Sequence, residues 1–76
     1  MIEGVVVYQF INEGSKSEGL FPFLYVHAGK FMKIWMDGDT SFNGVGLKEF
    51  DGVRVIVQGN INEYGIFIVS SINEST

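Results

Sequence analysis

This sequence predicts an all-β fold of five short strands, a barrel or a sandwich, and three observations carry the prediction. Five segments rich in valine, isoleucine and aromatics are separated by clusters of Gly, Asn, Asp and Ser, the punctuation of small all-β folds. No segment reads as a helix, and Gly44 and Gly46 oppose a long one in the central connector. The chain has 76 residues, 46% of them hydrophobic. Closing the sheet removes the edges that so small and apolar a chain would otherwise offer to aggregation.

Residues 2–11 form the first strand, with Val5, Val7 and Ile11 on one side and Val6, Tyr8 and Phe10 on the other. Apolar residues on both sides suit a strand central to a barrel, or one whose outer side extends an aromatic platform. Residues 12–19 make a polar loop without a core-forming side chain. Pro22 has no N–H to give a ladder, so it marks the start or a free edge of the second strand. Residues 37–46 are turn chemistry with a single anchor, Phe42. Residues 47–50 form one helical turn or a short strand with Leu47 and Phe50 inward, and Asp51-Gly52 is a tight turn. A fourth strand covers residues 53–58, with Val53, Val55 and Val57 on one side. Residues 59–65 are a polar loop carrying Ile61 and Tyr64, and residues 66–72 are the fifth strand. The tail, residues 73–76, has nothing to pack and is expected to fray. One domain spans residues 1–76, without repeats, linkers or low-complexity segments.

The stretch around which these elements are arranged is residues 20–36, which read as a β-hairpin. Gly29 stands where a three-residue loop, His27-Ala28-Gly29, needs its left-handed residue. That loop pairs Tyr25 with Phe31, Phe23 with Lys33 and Phe21 with Trp35 on one face. The other face carries Leu20, Leu24, Val26, Met32, Ile34 and Met36. Lys33 decides which face is wet, because an unpaired lysine is almost never fully buried. The aliphatic face is therefore expected in the core and the aromatic face at least partly outside. A two-residue loop, Ala28-Gly29, is the alternative; it would set Tyr25 opposite Met32 and mix the surfaces.

Composition narrows the function classes. There is no cysteine, hence no disulfide framework and no thiolate metal site. The start of the chain lacks the basic and long apolar stretches of a signal peptide. No apolar run reaches the roughly 18 residues of a membrane span, so a cytoplasmic protein is expected. The net charge of −4 argues against a protein that holds polyanions by bulk electrostatics. Its distribution is uneven: no acid lies between Glu18 and Asp37, whereas His27, Lys30 and Lys33 do, with Lys16 just before. The hairpin is locally basic on an acidic body.

No enzyme chemistry is expected. His27 is the lone histidine, on the hairpin turn, so Ser70 and Ser71 have no base within a triad logic. The phosphate-cradling glycine loop is absent, since Gly29-Lys30 is followed by Phe31. Asp37-Gly38-Asp39 is ordinary turn chemistry without the closing acid of a calcium loop. No metal and no cofactor are expected, and Arg54 reads as a solvated arginine on the outer side of the fourth strand.

From Leu47 to Ile72 the chain resembles the closing half of an OB-fold, the five-stranded Greek-key barrel of many nucleic-acid-binding domains. Leu47, Phe50, Gly52, Val55, Val57, Gly59, Ile61 and the ending Phe67-Ile-Val-Ser-Ser-Ile72 carry the likeness, which is to the anticodon-binding and replication protein A-like members. The glycine-rich connector departs from the family by replacing most of its usual helix. The resemblance implies a ligand face on the outside of strands two and three, flanked by the loops near Lys16 and Asn62. Carried over, that face comprises Phe23, Tyr25, Phe31, Lys33 and Trp35, with Lys30 and Lys16 nearby. A competing resemblance is to the Sm-like fold, whose first motif is echoed by Asp37-Gly38, Phe42, Gly44, Leu47 and Phe50-Asp51.

Two functions follow. One is a non-enzymatic module that stacks single-stranded DNA or RNA on its rings while lysines meet the phosphates. The other is a protein-interaction subunit that buries the same face against a protein partner or in a homodimer.

Overall fold

The structure, a computed structural model, describes residues 1–11, 14, 19–27 and 29–75. Five strands, β1 (Ile2–Ile11), β2 (Gly19–His27), β3 (Lys30–Met36), β4 (Arg54–Ile61) and β5 (Phe67–Glu74), close into a barrel in the order β1-β2-β3-β5-β4. Every neighbouring pair is antiparallel except β3 and β5, which run parallel. This is a closed five-stranded all-β barrel of the OB-fold class, the barrel of the two forms that the strand pattern allows and the topology that the resemblance implies. The connector after β3 is mostly loop and holds one 3₁₀ helix, Val45–Phe50.

The hairpin adopts the register of the three-residue loop. Phe23 pairs with Lys33 and Tyr25 with Phe31, and the ladder shifts between Tyr25 and His27 to reach Lys30. Gly29 makes the turn possible at φ +79°, a conformation that a side chain disfavours. Ala28 lies outside the described residues.

That register turns one alternating set inward. Leu24 and Ile34 of the hairpin are fully buried, together with Val6 of β1, Leu47, Val55 and Val57 of β4 and Val69 of β5. Val26, Met32 and Met36 pack partly buried against this cluster. Each strand therefore contributes to one core, and Leu47 of the 3₁₀ helix joins it, with that helix resting on β1 and β3. The Tyr8 hydroxyl donates to the carbonyl of Gly44, tying β1 to the start of that helix. Burial pushes the Tyr8 phenol up to about 12.

Several expectations are corrected at the edges of elements. Pro22 is not at the start of β2 but inside it, buried and paired with Tyr8; toward β3 it lies at the free edge that was the other expectation, since that ladder begins only at Phe23. Leu20, assigned to the core face, is exposed because it stands at the strand's outer end. β4 runs on to Ile61, which pairs with Phe67, so the loop before β5 is shorter than expected. The tail does not fray at residue 73: β5 continues to Glu74, and Ser75 donates its N–H to the Arg54 carbonyl and its hydroxyl to Glu3. Thr76 is outside the described residues. Arg54 lies exposed beside Glu3 at 3.8 Å, an ion pair that contributes little at such exposure.

Candidate ligand face on β2, β3 and β5

The set of side chains that alternates with the core points away from the barrel, and it is aromatic. Tyr25 and Phe31, opposite each other in the ladder, meet edge to face with centroids 5.0 Å apart. Phe21 lies four residues back along β2, about 13 Å away at the usual rise of a strand. Around it a second cluster forms. Trp35 sits 6.4 Å from Phe21, Phe42 approaches its edge at 5.7 Å, and the Lys33 ammonium stands over its face at 5.0 Å. Phe23 and Lys33, cross-strand partners, lie half-buried between the two clusters.

Phe21 departs from the expectation of an exposed ring. It is only 6% exposed, although it lies outside the barrel core, because Trp35, Phe42 and the Lys33 stem cover it. Phe42 is corrected too: it is no core anchor but 62% exposed, a ring brought onto the outer face by the connector. Phe31 is 47% exposed, and Tyr25, Phe23, Lys33 and Trp35 are half-buried. Lys30 is exposed at the hairpin tip, and Lys16 lies outside the described residues.

The orientation of Trp35 is fixed by the connector. Its Nε1–H donates to the backbone carbonyl of Asp39 at 2.8 Å. The Asp39 carboxylate in turn accepts the Ser41 hydroxyl at 2.6 Å, the Ser41 N–H at 2.9 Å and the Gly46 N–H at 2.9 Å. The Ser41 hydroxyl, followed by those two backbone N–H groups, holds this carboxyl below the usual aspartate range. A carboxyl whose folded pKa lies below its unfolded value of about 4 stabilises the fold above that pH, and the contribution fades as pH falls through the folded value. Asp39→Asn keeps one acceptor oxygen but cannot accept from Gly46. The variant should show lower stability at neutral pH and a smaller loss on acidification, read from urea midpoints at pH 6 and pH 3. Equal acid sensitivity in the two proteins would refute this role for Asp39.

β5 extends the face. Ile68 pairs with Trp35 across the parallel ladder, and Ile66 precedes it from the β4–β5 loop. Neither was expected at the site. The burial of Phe67 and Val69 sets the alternation that turns Ile66 and Ile68 outward. The same loop carries Asn62, whose side-chain oxygen accepts the N–H groups of Tyr64 at 2.9 Å and Ile66 at 3.0 Å. Together these side chains border an open cavity of about 340 Å³ over the Phe21–Trp35–Phe42 cluster, with Lys33 and Asn62 at its rim. That volume lies at the small end of ligand pockets.

Chemically the site offers flat apolar surface, one ammonium and an amide. Among the described residues no cluster of His, Asp and Glu could hold a metal ion, and no helix is long and apolar enough to cross a membrane. No protein-family model, curated protein or solved structure matches this chain.

Proposed function

We propose that this protein is a small, non-enzymatic, cytoplasmic module that binds single-stranded nucleic acid across β2 and β3. The observation that carries the reading is the Phe21–Trp35–Phe42 cluster with the Lys33 ammonium over it, open to solvent through a cavity. Every nucleobase has a face that stacks on a ring, and each stacked base contributes roughly 1–3 kcal/mol irrespective of sequence. Tyr25 and Phe31 supply a second stacking place further along β2. The indole of Trp35 is already held by Asp39, so little freedom is lost when a base settles on it.

Affinity in this reading rests on stacking more than on charge. The body is acidic, at −4 overall, and among the described residues the lysines of the hairpin are Lys30 and Lys33. With two phosphates neutralised, the logarithm of affinity for a single strand should fall with that of salt at a slope of about −1.4. Adding a single-stranded oligonucleotide at low salt should quench Trp35 fluorescence, and Trp35→Ala and Lys33→Glu should each remove binding, measured for the tryptophan-free variant by anisotropy of a labelled strand. No quenching at any salt, together with a dimer in sedimentation, would replace this reading with that of a face buried between protein chains.

A further inference from the structure

We infer that a bound single strand runs along the hairpin, from its tip toward the connector, and that the unit recognised is three nucleotides, one base to each of three rungs of β2 and β3. This rests on the nucleic-acid reading above and adds to it a direction and a length.

The register sets the rungs. Tyr25 faces Phe31, and Phe23 faces Lys33; Phe21 follows with Trp35, their centroids 6.4 Å apart. All three pairs lie on the outer side, because Leu24 and Ile34, which alternate with them, are buried in the barrel. Alternate residues of a strand stand about 6.6 Å apart. A nucleic-acid strand stacked on itself advances about 3.4 Å per nucleotide, half a rung. Drawn out, with each base resting on a protein side chain in place of its neighbour, it advances about one rung. A short strand that touches both aromatic clusters therefore lies along β2 and β3, whereas one that crosses them meets a single cluster.

The rungs differ in kind. The first, Tyr25 with Phe31, is open, and the exposed Lys30 adjoins it at the tip. The third is walled: Phe42, Ile66 and Ile68 join Phe21 and Trp35 around the cavity of about 340 Å³. Lys33 starts on the second rung, and its ammonium stands 5.0 Å from the Phe21 centroid on the third. It thus sits where the phosphodiester between the second and third bases passes. The walled rung anchors one end of the strand, and the open rungs measure its length.

The test uses the whole chain with thymidine oligonucleotides of one to eight residues at low salt, followed by Trp35 quenching. Affinity should climb about fivefold or more with the second nucleotide and again with the third, and by no more than about twofold with each later one. Phe31→Ala removes the first rung at a position already 47% exposed. It should bind the trimer no more tightly than the parent binds the dimer, with its dimer affinity unchanged. Should that variant not fold, the parent should bind a trimer lacking one end base only as it binds the dimer. A break in the series at any other length, or Phe31→Ala weakening monomer, dimer and trimer alike, would overturn the alignment and leave the stacking module intact. Absence of quenching even by the longest strand would remove both.

Discussion

Gly59→Ala should leave little folded protein. Gly59 stands where the β4–β5 ladder slips by one residue, between Gln58 opposite Ser71 and Gly59 opposite Val69. A Cβ built there would lie 1.8 Å from the backbone oxygen of Ile68 and 2.9 Å from its carbonyl carbon. Both atoms belong to a strand backbone, so no rotamer change relieves the overlap. The strands must part, and the barrel opens at the junction that joins β5 to β4. The penalty should be of order 4 kcal/mol or more, in the range reserved for specific structural disasters. A domain of this length has only about 4–11 kcal/mol in total, so the loss is most or all of it. The measurement is the circular dichroism melt of Gly59→Ala beside Ser70→Ala, a neighbour that loses only the exposed hydrogen bond to the Gln58 carbonyl. A melting temperature for Gly59→Ala within a few degrees of the parent would refute the close approach. The effect also reaches the outer aromatic face, because the displaced residue, Ile68, is the one paired with Trp35.

What the sequence made legible follows from where its signals are local. The hairpin register could be read because Gly29 and the alternation on either side of it agree, and Lys33 marked the wet face. The strand ends could not be read, because they are decided by neighbours far along the chain. Asn73 and Glu74 look like a polar tail until β4 supplies Ile56 and Val55 as partners. Ile61 looks like a loop residue until Phe67 lies beside it. Phe21 and Phe42 illustrate the harder case. Periodicity can place Phe21 on the outer face, but nothing local says that a ring from the connector will fold back and cover it. The orientation of the Asn62 side chain was beyond sequence reasoning for the same reason. The Asn62 amide is oriented by N–H groups of a loop whose shape is set only when β4 and β5 pair.

The division of the hairpin into a load on the core and a face for a ligand can be tested by two truncations. Leu24→Ala empties a fully buried position at the centre of the barrel, among Val6, Ile34 and Val55. Strand backbones surround the site, so it cannot collapse around the missing methyls, and the loss should be about 2–5 kcal/mol. In a domain of this size each kcal/mol moves the melting temperature by about 4–8 °C, which places the shift at about 8 °C at least. Phe31→Ala removes a larger side chain on the opposite face. Its ring is already 47% exposed and gives up one edge contact with Tyr25, so its effect on stability should stay within about 1 kcal/mol. Oligonucleotide affinity should move the other way, falling for Phe31→Ala and holding for Leu24→Ala at temperatures where that variant is folded. If Phe31→Ala melts as early as Leu24→Ala and binds as the parent does, the aromatic face supports the fold and presents no ligand surface.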